Sequence, residues 1–362
     1  MNADGHPDLA LISKDQIHIL FGGRRYASVT QVSDLIDSGD GARLSFSSFW
    51  VPLVAGGADF DADGTGDLLV SFPDPNAGAV HLVRGRKAWP PDSFVEDAPR
   101  WLSAAPQAAF GKAVALVRDV DGDGLGEALI GAPGRGWDTG THAFLLFGTP
   151  APSNGIVEDL VNAGEATRFD SVTVKDALGY RVSAPGDMNG DGIPDLALST
   201  ESGGVEFAGE SYVVFGSPSL RRAPGVPFDL KGLDGGGIRI SGAFGYERAA
   251  YLAPAGDFNG DGLKDLLVGG GRATRSRRAA YVVFGGPARS VDLAQLAGDG
   301  VKIVGFQTGF EVAGAGDWNG DGLDDVVLAE DVTPTNDGVL LVVFGAGTEA
   351  RFLRGDSNGD RK

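Results

Sequence analysis

The sequence has no cysteine, few basic residues and no long apolar run. Without Cys, the chain cannot form disulfides, use a catalytic thiol or bind zinc or iron–sulfur clusters through thiolates. Its 30 Lys and Arg stand against 49 Asp and Glu, a net charge of −19, which argues against nucleic acid as a partner. No apolar stretch reaches the roughly 18 residues of a membrane span. We therefore expect a protein that binds no nucleic acid and does not span a membrane.

The start of the chain lacks the marks of a secretory leader. The segment MNADGHPDLALIS (1–13) has neither a basic beginning nor an apolar core. Either the protein stays inside the cell or its natural start lies upstream of Met1. The partial copies at the two ends and the family resemblance given below favour the second alternative, with an extracellular or cell-surface location.

One acidic segment recurs five times. Its first Asp stands at positions 59, 119, 187, 257 and 317, so the copies begin 60 to 70 residues apart. The first copy reads DFDADGTGD (59–67) and the second DVDGDGLGE (119–127). A partial copy opens the chain (2–8), and another lies near its end (356–360). A fixed period of this size is typical of repeat architectures.

Each repeat has the pattern of four short β-strands. An apolar stretch precedes the acidic segment, a short apolar run follows it, and a second run usually ends in Phe-Gly, as at 215–216. A weaker strand follows, as in GIRISG (237–242). No window shows sustained helical spacing of apolar residues. Four strands per period predict an all-β fold, a β-propeller of about six blades or alternatively seven. The 58 Gly residues fit its many tight turns.

The acidic segment has the ligand spacing of a calcium loop. Positions 1, 3, 5 and 9 carry carboxylates or amides, position 6 is Gly, and position 7 offers a backbone carbonyl. Hard oxygen ligands favour Ca²⁺. We expect about five structural Ca²⁺ ions, one per complete loop. The candidate ligands are Asp59, Asp61, Asp63, Thr65, Asp67, Asp119, Asp121, Asp123, Leu125, Glu127, Asp187, Asn189, Asp191, Ile193, Asp195, Asp257, Asn259, Asp261, Leu263, Asp265, Asp317, Asn319, Asp321, Leu323 and Asp325, with Asn2, Asp4, His6, Asp8, Asp356, Asn358 and Asp360 from the partial copies.

These motifs resemble the FG-GAP repeats of integrin α-subunit propellers and their bacterial relatives. The FG element matches Phe110-Gly111 and Phe244-Gly245, with Leu178-Gly179 as a variant, and the GAP element matches 131–133. The likeness extends from residue 1 to about 348. It implies calcium held on one face of the propeller and a protein or carbohydrate partner on a propeller surface. Integrin-type propellers have seven blades, whereas five complete loops and one partial loop indicate six here.

The repeats divide the chain into one propeller domain and a tail. The predicted blades span approximately 1–48, 49–109, 110–177, 178–243, 244–305 and 306–350. The tail, 351–362, resembles the beginning of a truncated dockerin-like calcium module. Alternatively, it closes the propeller, with Asp356 supplying the position 1 that the opening copy lacks.

Three functions fit this pattern. The first is a calcium-stabilised, monomeric, extracellular propeller that binds a protein in the manner of an adhesion module and is not an enzyme. The second is a carbohydrate-binding propeller attached to a secreted enzyme, with sugars stacked on Trp50, Trp89, Trp101 or Trp137. The third is a domain associated with a calcium-dependent lyase or phospholipase. No nucleophile elbow or metalloprotease motif points to catalysis by this chain.

Overall fold

The structure is a computed structural model. It describes residues 1–23, 31–74, 78–105, 107–134, 141–172, 176–233, 235–245, 247–270, 279–304, 311–332 and 337–347, and for 330–332 and 337–339 only the backbone. The tail, the basic stretch 272–278 and Trp137 lie outside these residues.

The described chain forms six sheets in the order of the sequence, and they are the six blades of a β-propeller. Within each blade the successive strands pair antiparallel. Blade 1 contains β1 (Leu9–Ile12), β2 (Gln16–Leu20) and β3 (Gly41–Ser45); blade 2 contains β4 (Leu53–Gly56), β5 (Leu68–Phe72), β6 (Ala79–Val83) and β8 (Arg100–Leu102); blade 3 contains β9 (Ala113–Val117), β10 (Glu127–Ala132), β11 (His142–Leu146) and β13 (Ala166–Asp170). Blade 4 contains β14 (Leu178–Gly186), β15 (Asp195–Thr200), β16 (Glu210–Val214) and β18 (Gly237–Ser241); blade 5 contains β19 (Ala249–Gly256), β20 (Asp265–Gly270), β21 (Ala280–Val283) and β23 (Gly300–Ile303); blade 6 contains β24 (Glu311–Gly316), β25 (Asp325–Val332) and β26 (Asp337–Val343). The prediction of an all-β propeller is confirmed.

Four further strands join four of the five consecutive pairs of blades in the described residues. Each leaves the connection before the last strand of its own blade and pairs in parallel with the outermost strand of the preceding blade. We call them the reach-back strands: β7 (Asp92–Phe94) on β3, β12 (Gly155–Ile156) on β8, β17 (Phe228–Asp229) on β13 and β22 (Arg289–Asp292) on β18. The repeat pattern alone did not predict them.

Two short α-helices accompany the strands, although no window of the sequence has sustained helical spacing of apolar residues. They are α1 (Val32–Asp37) and α2 (Val157–Ala163), and turns of 3-10 helix cover Val95–Asp97, Val205–Phe207, Pro218–Leu220 and Leu230–Gly232. Neither α-helix exceeds two turns, so neither is long enough to show a helical period in the sequence. Each instead anchors two buried apolar residues, Leu35 and Ile36 in α1 and Val157 and Val161 in α2.

The core consists of apolar layers between successive blades. Leu129 and Leu145 of blade 3 pack with Leu198 and Tyr212 of blade 4, and equivalent clusters join the other consecutive pairs. The central strands are buried on both faces, which explains their continuous apolar runs. Burial of apolar area at these faces holds the blades together.

Blades 1 and 6 each have one face that no other blade covers in the described residues. Leu9 directly follows the last acidic residue of its loop, as Leu68 does in blade 2, yet Leu9 is 55% exposed and Leu68 4%. Leu340 occupies in β26 the place of Ala280 in β21, and the two are 70% and 0% exposed. Five inter-blade cores are therefore described for six blades.

The FG and GAP elements meet where neighbouring blades touch. Gly111 has φ +79° and donates its N–H to the carbonyl of Gly131 at 3.0 Å. A Cβ placed on Gly131 would lie 2.0 Å from the carbonyl oxygen of Gly179 in the next blade. Only glycine fits such a close approach of two backbones.

Candidate metal centres

The acidic loops join the first and second strands of blades 2 to 6. We number them loop 1 (59–67), loop 2 (119–127), loop 3 (187–195), loop 4 (257–265) and loop 5 (317–325). Neighbouring loops touch, because the N–H at position 8 donates to the carbonyl at position 1 of the preceding loop. These bonds run from Gly126 to Asp59, from Lys264 to Asp187 and from Asp324 to Asp257, at 2.8, 2.9 and 3.1 Å. The loops therefore lie side by side at one end of the propeller.

The side chain at position 1 forms hydrogen bonds with the backbone of its own loop. Its carboxylate accepts the N–H of the glycine at position 6 at 2.8 to 3.0 Å in all five loops. That glycine has φ between +83° and +92°, a left-handed conformation that favours glycine. The carboxylate at position 5 accepts the N–H of position 7 in the same turn, from Thr65, Leu125, Ile193, Leu263 and Leu323.

Position 9 anchors each loop to its blade. One carboxylate oxygen accepts the N–H of position 2, as from Phe60 to Asp67 at 2.8 Å. The other accepts the glycine N–H that follows the third strand, as from Gly216 to Asp195 at 2.9 Å. Burial raises the pKa of Asp67 to about 6, and that of Asp195 and Asp265 to about 7.

Glu127 departs from this arrangement. Its Oε2 accepts the N–H of Val120 at 2.9 Å, but its Oε1 is buried and has no hydrogen-bond partner among the described residues. The side chain is fully buried, and burial raises its pKa to about 8. A buried carboxylate oxygen without a donor is costly, and a bound cation would satisfy it.

Two loops gather carboxylates closely enough for one metal ion. The oxygens of Asp119, Asp121, Asp123 and Glu127 all lie within 4.8 Å of one another, and so do those of Asp59, Asp61 and Asp67. These are the groups of three or more acidic or His residues found at this spacing in the described part of the chain. Loops 3 to 5 carry Asn at position 3, so each has one carboxylate fewer. The donor set, all oxygen, fits a hard divalent cation.

The five loops fall into two types at position 3. In loops 3, 4 and 5 the Asn amide donates to the carboxylate at position 5 of the same loop at 2.8 to 2.9 Å. Loops 1 and 2 have Asp there and use an arginine instead. Arg84 Nε lies 2.9 Å from Asp61 Oδ2, and Arg221 contacts both Asp121 and Asp123. Neither arginine was predicted from the sequence.

The opening partial copy keeps the geometry of an Asn-type loop. Asn2 donates to Asp4 at 2.9 Å, Asp4 accepts the N–H of His6 at 2.9 Å, and Gly22 donates to Asp8 at 3.0 Å. The second partial copy, with Asp356, Asn358 and Asp360, lies outside the described residues.

The tryptophans suggested for sugar stacking differ in exposure. Trp50 is 45% exposed, whereas Trp101 is 3% exposed and packs against Phe60 with ring centroids 5.4 Å apart. Trp101 therefore cannot stack on a sugar, and its assignment as a candidate was wrong. The apolar ring closes the core between blades 2 and 3 instead.

The fold and its loops place the chain in the class of β-propellers that carry one acidic loop per blade. Its sequence is similar to parts of integrin α subunits. It is 30% identical over 169 residues to integrin alpha-PS2 of Drosophila melanogaster (44% of this chain, 11% of the relative) and 28% identical over 235 residues to human integrin alpha-IIb (62% and 20%). It is also 29% identical over 170 residues to bovine phosphatidylinositol-glycan-specific phospholipase D (42% and 17%). The chain thus spans at most a fifth of the length of these relatives.

The chain was also compared with family models and with solved structures. No family model matches the chain. A solved structure, BBS1N in complex with ARL6DN, superposes with a TM-score of 0.44 at 8% identity, covering 91% of this chain and 74% of that one. In the described residues, no helix has the length and apolar character needed to cross a membrane.

Proposed function

We propose that this protein is a calcium-stabilised extracellular propeller that binds a protein partner, in the manner of an adhesion module, and is not itself catalytic. The observation that carries the proposal is the repetition of one hydrogen-bonded acidic loop in five successive blades. Similarity to parts of integrin α subunits supports the adhesion-type role.

Calcium would be held by the side chains at positions 1, 3, 5 and 9 and by the carbonyl at position 7. A bound ion would neutralise carboxylates that otherwise repel one another within each loop. Because the loops lie between the first two strands of consecutive blades and contact one another, each ion would stabilise the folded state by linkage. A metal in five of the six blades favours a structural over a catalytic role.

The proposed partner surface lies at the opposite end of the blades. There the hairpin between β15 and β16 and the segment after β18 border a cavity of about 760 Å³. Val205, Phe207 and Phe244 give it apolar walls, and the ion pair between Arg239 and Glu210 at 2.6 Å gives it a polar group. A mixed surface of this kind suits a protein ligand. We propose that the partner binds there to a monomeric propeller, away from the calcium loops.

Thermal unfolding with an ion count tests the calcium part. We expect a large rise in Tm from EDTA to millimolar Ca²⁺, with about five ions bound per chain. Asp123→Ala and Asp191→Ala should each lower the Tm in Ca²⁺ and remove one ion, whereas Asp37→Ala, on α1 and outside the loops, should change neither. Equal melting in EDTA and Ca²⁺, without bound ions, would refute calcium stabilisation.

A second candidate function is that of a domain accompanying a phospholipase or another secreted enzyme and binding carbohydrate. Similarity to part of the bovine phospholipase D favours it, and exposed Trp50 is a possible sugar contact. A glycan array probed in Ca²⁺, with Trp50→Ala as the control, separates the two. Binding to a defined glycan that Trp50→Ala abolishes would favour the second candidate, and a blank array would favour the first.

A further inference from the structure

Loops 1 and 2 carry one more negative charge than loops 3 to 5. In loops 3 to 5, the amide at position 3 satisfies Oδ2 of position 5, as from Asn189 to Asp191 at 2.9 Å. Asp61 and Asp121 have no amide to offer at that position. In the described part of the chain, arginine pairs with position 3 or 5 in these two loops alone. The arginines therefore accompany the extra carboxylates.

Arg221 fits loop 2 closely. Its Nε contacts Asp121 Oδ2 and its NH2 group contacts Asp123 Oδ2, so the guanidinium bridges positions 3 and 5. The same guanidinium lies 4.2 Å above the ring of Phe147. A planar donor held at two carboxylates and against an aromatic ring is well fixed. A tethered cation thus sits on the group of carboxylates that a metal ion would use.

Arg221 also links two blades at the one interface between loops 1 to 5 that lacks the loop-to-loop backbone bond from position 8. Loop 2 belongs to blade 3, whereas Arg221 lies in blade 4, just after the 3-10 turn Pro218–Leu220. At the neighbouring interfaces the N–H at position 8 donates to the preceding loop. Position 8 of loop 3 is Pro194, which has no N–H to donate. The ion pairs of Arg221 take over that connection.

One ligand oxygen of the same loop has no hydrogen-bond partner among the described residues. Oε1 of Glu127 is buried, and no described residue donates to it. Arg221 contacts Asp121 and Asp123, and no contact joins it to Glu127. The guanidinium of Arg221 therefore leaves Oε1 of Glu127 without a donor in the described part of the chain. A smaller ion inside the loop could reach all four carboxylates, which lie within 4.8 Å of one another.

We propose that Arg221 is a built-in counter-cation of loop 2 that a calcium ion must displace. The inference rests on the proposed binding of calcium to the loops. Arg221 and Ca²⁺ compete for Oδ2 of Asp121 and Asp123. A guanidinium and a calcium ion that contact the same two carboxylates also repel each other. Binding of calcium at loop 2 therefore breaks the Arg221 link between blades 3 and 4. The calcium affinity of loop 2 therefore depends on the strength of the Arg221 contacts between blades 3 and 4.

Calcium titration calorimetry and thermal unfolding of Arg221→Gln test the proposal. The variant should bind Ca²⁺ at one site about tenfold more tightly, because the guanidinium that competes at both Asp121 and Asp123 is gone. Its Tm in EDTA should fall, because the link between blades 3 and 4 is lost. Arg222→Gln is the matched control, because the guanidinium of Arg222 packs over Phe228. This variant should leave the calcium affinity and the Tm in EDTA unchanged.

Two additional variants make the result specific. In an Asp119→Asn background, in which loop 2 should no longer bind calcium while Arg221 keeps its contacts, the substitution Arg221→Gln should no longer tighten calcium binding. Arg221→Lys keeps the charge without the two-pronged contact and should give an intermediate affinity, which provides the test if Arg221→Gln does not fold. Calcium binding by the unaltered protein with no gain in Arg221→Gln, or in Arg221→Lys in its place, would overturn the displacement. No binding of Ca²⁺ by any variant would overturn the calcium proposal itself.

Discussion

Replacing Glu127 with Gln should have opposite effects on stability without and with calcium. Glu127 is fully buried and accepts one N–H bond from Val120 at 2.9 Å, and its Oε1 has no partner in the part of the chain that the structure describes. Without a cation, an ionised carboxylate at this place is unfavourable. Glutamine has nearly the same shape and no charge, so it removes that penalty. With calcium bound, the same substitution removes a charged ligand.

The magnitude follows from proton linkage. Burial raises the pKa of Glu127 to about 8, so at pH 7 the folded protein takes up a proton that the unfolded chain releases. From an ordinary glutamate pKa of about 4.5 to pH 7, that uptake costs about 3 kcal/mol. Glu127→Gln should therefore stabilise the calcium-free protein by about this amount. For a chain of this length it corresponds to a Tm higher by about 4 °C.

Differential scanning calorimetry at pH 7 in EDTA and in millimolar Ca²⁺ measures both effects. We expect a higher Tm than that of the unaltered protein in EDTA, and a smaller rise on adding Ca²⁺. Glu165→Gln, an exposed change outside the loops, should leave both values unchanged. A lower Tm for Glu127→Gln in EDTA would show that the carboxylate stabilises the calcium-free fold, and the reasoning would be refuted.

Three further predictions concern pH, the blade contacts and the core. Because burial raises the pKa of Asp195 and Asp265 to about 7, stability in EDTA, measured as Tm, should be highest near pH 4 and fall up to pH 7, and Ca²⁺ should remove this slope. Gly131→Ala should lower the urea midpoint, since its Cβ would lie 2.0 Å from a carbonyl of the next blade, whereas Gly232→Ala, with open space around it, should be tolerated. Leu198→Ala, fully buried between blades 3 and 4, should cost about 2 to 5 kcal/mol in urea unfolding.

The fold could be predicted from the sequence because the information is local and repeated. Each acidic segment lies next to its own strands, so its period gives the blades directly. The loops were recognisable for the same reason: the turn from position 1 to position 9 is closed by hydrogen bonds within nine residues, as from Gly192 to Asp187 at 2.8 Å. Metal binding by these loops stays a prediction.

The features that were missed depend on contacts distant in sequence. Arg221 contacts Asp121 across 100 positions, and nothing near either residue marks the pair. The reach-back strand Asp92–Phe94 is three residues long and pairs with another blade, so no apolar pattern marks it. Glu127 looked like an ordinary member of its loop. Only the structure shows that one of its oxygens lacks the donor that Asp195 finds in Gly216.

The reach-back strands have a consequence for the order in which a nascent chain can fold. The outer edge of blade 1 is completed by β7, so this blade stays unsealed until residues 92–94 have left the ribosome, when most of blade 2 has also been made. The same delay recurs at β12, β17 and β22. We therefore expect each of these blades to complete its fold only after most of the following blade has been synthesised. Hydrogen exchange on a chain ending at residue 91 should show β3 less protected than in the whole protein, and equal protection would contradict this order.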